Sequence, residues 1–470
     1  MDERAAQFIA VFQTFLDEVV TEHRDRQQSD GPTLAALLEA HLGVDPRRLP
    51  VVSEEIPAYR FVDLDVALAE VEQRGGPGQL LGIGGGEQRR HHSLSEILEA
   101  SGRFGQFPVG AVDYGSTATG PDSTRQVVSF GIRLFTFADA PVAVLQRAAE
   151  PHSGNAGARM EVLTPAPGAA ATLISTVRAV MLERSVLRGQ VLTLGGSDFE
   201  PGVGGITFHR RPTLAPEDIV LPAGVLERLQ RHVAGVARHR ERLRAAGQHL
   251  KRGLLLYGPP GTGKTHTVRY LLGALPDLTV ILLAGPSIQY VSEAALMARA
   301  LQPALVVLED CDLVAESRDH YQGAQPLLFE VLEALDGLSD DADVAFLLTT
   351  NRVDVLEPAL AQRPGRVDLA VEVPLPGQQA RRLLVARYAR RLPFSEGALD
   401  EVAARTEGTT ASFAKELVRR AVLIAAEADR EPGDADLRQA ADEMLSEAQN
   451  VTRSLLGATE TTPTQISMAE

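Results

Sequence analysis

Residues 258–265 read Gly258-Pro259-Pro260-Gly261-Thr262-Gly263-Lys264-Thr265, a G-x-x-x-x-G-K-[ST] spacing. The glycines let backbone N–H groups close around phosphate oxygens, and a helix opening at the loop adds a favourable partial charge. A lysine at the end of such a loop reaches β- and γ-phosphates, and the adjoining hydroxyl can hold Mg²⁺. The residues therefore predict a site for a nucleoside triphosphate.

Two further strand ends carry chemistry. The apolar run Leu305-Val306-Val307-Leu308 ends in Glu309-Asp310-Cys311-Asp312. Carboxylates at the end of a parallel strand beside a phosphate loop are placed to hold Mg²⁺ and polarise water. Val344–Leu348 ends in Thr349-Thr350-Asn351-Arg352, where an amide can hold the attacking water. Arg363-Pro364-Gly365-Arg366 then puts two guanidinium groups in a tight turn, suited to reach a neighbouring subunit's γ-phosphate.

The elements that position these groups follow from periodicity. Leu254–Tyr257 is an apolar strand into the loop, and a helix follows from His266. Leu278–Leu283 is a second buried strand, followed by a Gly285-Pro286 turn and a helix near Glu293–Leu301. Beyond Pro376 the pattern is helical, with Phe413, Leu417, Ala421 and Ile424 on one face and Asp434 as cap of a last helix through Leu445. The expected fold class is α/β, with a parallel sheet flanked by helices, a helical C-terminal part and an N-terminal helical and α/β region; resemblance to P-loop NTPases further implies that the C-terminal part is a small helical lid. Expected boundaries are 1–126 (mostly helical or irregular), 127–200 (a small α/β or α+β unit), 205–377 (large α/β ATPase subdomain), 378–450 (lid) and 451–470 (disordered tail).

Within the first half, Phe8, Phe12, Phe15, Leu16 and Val19 predict a helix over 3–22. Leu34–Leu42, ended by Gly43, and Leu64–Val71 predict two more, with another near Leu94–Leu98. Gly82-Ile83-Gly84-Gly85-Gly86 is read as a loop, and His91-His92 as surface histidines. Alternation at Val128, Phe130, Ile132 and Leu134 predicts a half-buried strand, Val142–Leu145 and Met160–Leu163 two more, and Gly195–Gly205 a connector.

Composition is that of an ordinary soluble globular protein: 44% hydrophobic, 23% charged, with no apolar run near the roughly 18 residues of a membrane span. A net charge of −16 argues against nucleic acid as the main partner. One stretch runs the other way: Arg231, Arg238, Arg240, Arg242, Arg244 and Lys251 fall within 228–252, read as a solvated helix paired with acidic neighbours. The single cysteine, Cys311, excludes an intrachain disulfide and fits a reducing, cytoplasmic setting. Lysine occurs only at Lys251, Lys264 and Lys415 among 46 lysines and arginines, so Lys264 is one of very few ammonium groups.

Taken together over residues 215–445, the phosphate loop, the acidic strand end, T-T-N-R, Leu335-Asp336-Gly337 and R-P-G-R resemble the ATPase module of the AAA family. The wording L-E-D-C-D, T-T-N-R-V-D and R-P-G-R-V-D-L is most similar to the mitochondrial AAA ATPases that insert the Rieske iron–sulfur subunit. Their membrane anchor has no counterpart among these residues, so their substrate is not carried over. The N-terminal half resembles uncharacterised bacterial AAA proteins.

The resemblance implies ATP and Mg²⁺ as cofactors, and a homo-oligomeric ring, usually a hexamer with a heptamer possible. It further implies remodelling, unfolding or translocation of protein substrates, with a substrate or adaptor engaged through the N-terminal region. It places nucleotide on Gly258, Pro259, Pro260, Gly261, Thr262, Gly263, Lys264, Thr265 and His266, with Asp218 and Ile219 beside adenine. Thr265 and Glu309 would hold the metal, Asp310 would polarise water, Asn351 would sense the γ-phosphate, and Arg363 and Arg366 would act in trans. Tyr290 and Val291 stand where relatives grip substrate in the ring pore, but Ser292 replaces the usual glycine. Two departures matter. The acidic pair runs Glu then Asp rather than Asp then Glu, which implies slow hydrolysis. Ala411-Ser412 replaces a Gly-Ala pair, leaving nucleotide contact there open. The alternative function is a slow nucleotide-dependent switch or scaffold whose ring assembly is set by ATP.

Overall fold

The structure, a computed structural model, describes residues 33–104, 106–149, 157–196, 203–312, 341–352 and 367–455. The helix expected over 3–22, the Leu335-Asp336-Gly337 motif and Arg363 and Arg366 lie outside them. The chain forms two compact units, residues 1–210 and 211–470.

The first unit is built on an antiparallel sheet. Its strands are β1 (Val52–Ile56), β2 (Gln79–Ile83), β3 (Val109–Gly110), β4 (Asp113–Ala118), β5 (Thr124–Phe137), β6 (Ala140–Arg147) and β7 (Ala158–Leu163). They run in the order β1-β7-β6-β5-β2-β3, with β4 also on β5. Helices α1 (Leu34–Leu42) and α3 (Leu94–Phe104) bury Leu34, Leu38, Leu94 and Ile97 against Phe130, Ile132 and Leu145 on one face. Helices α2 (Phe61–Arg74) and α4 (Ala169–Glu183) bury Leu64, Leu68, Leu173 and Val177 against Phe135, Val144 and Met160 on the other.

Three expectations change here. The chain does not divide at 126/127, because β2 and β4 pair with β5 in one sheet. The strand around Val128–Leu134 is buried on both faces rather than one, because helices cover each side. The glycine connector is a hairpin, β8 (Val191–Gly196) with β9 (Val203–His209), in which Gly195 faces Gly205. Gly43 does end α1, at φ 73°, a left-handed conformation that glycine adopts without strain.

The second unit opens with α5 (Val225–Arg238) and α6 (Arg240–Ala245), then alternates strand and helix: β10 (Arg252–Tyr257), α7 (Lys264–Ala274), β11 (Thr279–Ala284), α8 (Val291–Ala300), β12 (Ala304–Glu309) and β13 (Val344–Thr350). A short β14 (Leu369–Glu372), absent from the sequence reading, adds beyond β10. The parallel order β14-β10-β13-β12-β11 puts β10 and β12 on either side of β13, so their C-terminal ends converge. Runs such as Val344–Leu348 are buried throughout, as expected for a sheet covered on both faces. A lid of α9 (Gln378–Tyr388), α10 (Glu396–Arg405), α11 (Ala411–Glu427) and α12 (Asp434–Leu455) packs around Leu399, Leu417, Ala421 and Leu437. The last helix runs ten residues past Leu445, and Asp434 does not cap it. Its carboxylate instead accepts from the Ser395 N–H (2.7 Å) and hydroxyl at the start of α10.

At the opposite end of the strands, Arg252 is buried and donates to Asp343 (2.8 Å), Val233 O and Leu250 O. Removing one partner strands a charge away from water, so Asp343→Ala is expected to destabilise this unit by about 3–5 kcal/mol. Urea unfolding followed by circular dichroism checks it, and an unchanged midpoint would count against the pair.

Candidate active site

Strand β10 ends at Tyr257 and the chain turns sharply. Gly258 has φ +143°, and a Cβ there would lie 2.2 Å from the Val373 carbonyl oxygen, so only glycine fits. Gly261, at φ +75°, lies against the Thr410 and Ser412 hydroxyls of the lid. Thr262 closes the loop by donating to Pro259 O at 2.9 Å, and α7 begins at Lys264.

The Lys264 ammonium is buried. It donates to Gly258 O (2.9 Å), Pro259 O (3.0 Å) and Asn351 Oδ1 (2.7 Å). Burial lowers its pKa, and Asp310 and Asp312 oppose that shift. Asn351 thus turns its oxygen to the ammonium and its Nδ2 towards Asp310 Oδ1 (3.4 Å) and Asp312 Oδ2 (3.5 Å).

Asp310 follows β12 at φ +51°, left-handed for a non-glycine residue, with its N–H bonded to Thr349 Oγ1 (3.0 Å). Asp312, grouped by sequence with the metal- and water-facing carboxylates, is instead buried and holds the sensor strand. Its Oδ1 accepts from Thr350 Oγ1 (3.0 Å) and Asn351 N (3.1 Å). The signal was a third carboxylate in the Glu309-Asp310-Cys311-Asp312 run. Cys311 is buried, its thiol pushed up to about 12 by burial.

These groups share a cleft of about 420 Å³. Its lining includes Pro260 to Thr267, Asp310 and Asn351, with Asp218, Ile219, Val220 and Leu221 on one side and Leu384, Tyr388, Ala411, Ser412 and Lys415 from the lid. Glu309 does not line it. That carboxyl sits at the strand end in register with Ala284, raised in pKa by burial and then by the Asp310 charge, with Arg269 opposing. The Thr265 hydroxyl and Asp310 carboxylate are hard oxygen donors in one cleft and fit Mg²⁺.

Asp218 is fixed from both sides. Its carboxylate accepts from Ala215 N (2.7 Å) and pairs with Arg387 and with Arg390 (3.1 Å) on α9. His266, also in the lining, has its pKa lowered by burial. Ser412, left open by the sequence, meets the phosphate loop directly: its N–H donates to Gly261 O at 3.0 Å. Lys415 had no role in the sequence reading, yet two of the chain's three lysines line this cleft. Of the expected substrate pair, Tyr290 is half-buried before α8. Val291 is fully buried in the first turn of α8 and offers a substrate no surface.

Residues 254–375 match the family model described as "ATPase family associated with various cellular activities (AAA)". The chain is 35% identical over 270 residues to the ATP-dependent zinc metalloprotease FtsH 2 of Sphaerobacter thermophilus, covering 53% of this chain and 41% of that protein. It is 29% identical over 267 residues to the 26S proteasome regulatory subunit 6A of Encephalitozoon cuniculi (53% and 66%). To the proteasome-activating nucleotidase of Thermococcus onnurineus it is 28% identical over 280 residues (56% and 70%). The chain therefore spans only part of each of these curated relatives. The matched segment is an AAA-type ATPase domain with the P-loop NTPase fold, and ATP hydrolysis is the reaction of such a domain.

Proposed function

We propose that this AAA-type ATPase is a homo-oligomeric ring, hexameric by family resemblance with a heptamer possible, that uses ATP to remodel, unfold or translocate protein substrates. The observation that carries the reading is the meeting of Lys264, Asn351 and Asp310 in one cleft. Loop N–H groups and Lys264 would take the phosphate charge. Asn351 would hold the attacking water, and Asp310 would accept its proton. Mg²⁺, held by Thr265 and an acidic strand-end group (Glu309 by resemblance, Asp310 by position), would neutralise charge on the β- and γ-phosphates. Arg363 and Arg366 would complete a neighbour's site.

Support for protein substrates comes from the relatives, which are named for proteolysis or the proteasome. Residues 1–210, outside the family match, are the part we assign to a substrate or adaptor. A cytoplasmic location belongs to the same proposal: among the described residues no helix is long and apolar enough to cross a membrane, and the single cysteine forms no intrachain disulfide. A second reading, the slow switch or scaffold, draws support from the short Asp310 carboxylate in the water-facing position and from the buried Val291.

Mass photometry with and without ATP and Mg²⁺ tests the ring. Wild type is expected to shift from small species to an assembly of about six subunits, and Arg363→Ala/Arg366→Ala to assemble yet lose turnover. A wild type that stays monomeric in every condition overturns the ring in both readings and leaves a nucleotide-binding switch that works without one.

A further inference from the structure

The arginine-rich stretch 228–252 takes no part in the nucleotide site. Helices α5 and α6, with the C-terminal end of α7, enclose a second and larger cleft of about 600 Å³. It opens where Leu278 and Pro303 lead into β11 and β12. The phosphate loop, Asp310 and Asn351 stand at the other end of the strands, and the two clefts share no lining residue.

Arg238, Arg240 and Arg242 line this cleft and are exposed. Among the described residues none of the three makes an ion pair or a side-chain hydrogen bond, so the expected pairing with acidic neighbours is not found. In the same unit Arg252 pairs with Asp343, Arg382 with Asp400, Arg430 with Asp436 and Arg438 with Glu401, while Arg228, Arg231, Arg299 and Arg391 also make no ion pair or side-chain hydrogen bond among the described residues; Arg238, Arg240 and Arg242 differ in lining one cleft together. In a chain with 62 acidic and 46 basic residues, carboxylate partners are in surplus, and three adjacent unmatched guanidiniums form a patch of the minority sign. Helix ends do not account for it. Arg238, in the last turn of α5, gains from the helix dipole, but Arg240 opens α6 at the end where a cation is disfavoured. Two carboxylates share the cleft. Asp277 faces Arg211, which leaves Glu241 as the local counter-charge.

We propose that this cleft binds an acidic peptide segment of a partner protein. Guanidinium groups bind carboxylates through paired N–H donors, and the apolar part of the lining, Ala234, Ala237, Leu275 and Pro276, suits interleaved aliphatic side chains. Duplex or single-stranded nucleic acid would need a longer track of cations and would face a chain of net charge −16. The site stands whether or not the ring forms or ATP turns over.

Fluorescence anisotropy on the full chain tests it with a labelled twelve-residue peptide of Glu, Asp and Leu. Binding is expected to weaken with added salt and to fall at least about tenfold in Arg238→Ser/Arg240→Ser/Arg242→Ser. A peptide with Lys in place of the acids should not bind. Ala237→Phe, which fills space in the cleft without changing charge, should weaken binding as well, and a fluorescent ATP analogue should bind both variants as it binds wild type. The proposal is overturned if the acidic peptide fails to bind wild type, or if the triple variant binds it equally well. It is also overturned if inorganic triphosphate or a single-stranded oligonucleotide binds more tightly than the peptide and loses that binding in the triple variant.

Discussion

Lys264→Ala is expected to cut ATP turnover by about 10²–10³-fold, the usual loss when one preorganised charge-stabilising donor is removed. The ammonium already spans the site, bonded to the loop carbonyls of Gly258 and Pro259 and to Asn351 Oδ1. Its loss would remove a phosphate cation and also free the sensor amide to turn. Lys264→Arg should fare little better although the charge is kept. The side chain sits in a buried slot that holds a compact ammonium, and a planar guanidinium has a different donor geometry. This chain uses arginine almost everywhere else, so the comparison is a sharp one. Phosphate release and fluorescent-nucleotide titration check both variants. A kcat/KM for Lys264→Ala equal to wild type would remove the nucleotide site from this loop.

Asp310→Asn is expected to lower kcat by about 10²–10⁴-fold, the range for loss of a general base, with nucleotide affinity largely kept. Asp310 lines the cleft beside Asn351, in a backbone conformation that its N–H bond to Thr349 helps to hold. Glu309 is drawn back from the lining, in a setting that disfavours its charge. Glu309→Gln is therefore expected to change kcat less than Asp310→Asn, and the metal role that family resemblance gives Glu309 predicts that its effect shows in the Mg²⁺ concentration needed for turnover. Steady-state rates across a Mg²⁺ titration separate the two. If Asp310→Asn turns over like wild type while Glu309→Gln is dead at saturating Mg²⁺, the roles are reversed.

The strand–loop–helix at 252–274 was legible because its information is local: apolar run, glycines, lysine, amphipathic helix. The bond between Asp312 and Asn351 was not, because it joins residues 39 apart that only the β12–β13 pairing brings together. Strand β14 is four residues long with one buried, too little periodicity to register. Glycine and polar residues in 74–126 masked β2 and β4, whose stability comes from pairing with β5 rather than from their own composition. The alternation in β5 was real, but alternation cannot say whether the second face is wet or covered by α2 and α4.

Asp218 has one consequence outside the chemistry of the phosphates. It belongs to the segment that flanks the cleft, and its carboxylate is shared by Arg387 and Arg390 of the lid, while Ser412 ties the lid's third helix to Gly261. A nucleotide that touches both walls and a force that moves the lid then act on one equilibrium. Linkage makes the exchange reciprocal. By whatever factor nucleotide favours the closed lid, holding the lid closed must raise nucleotide affinity, so a partner pulling on α9 would be read as a change in the apparent affinity for ATP.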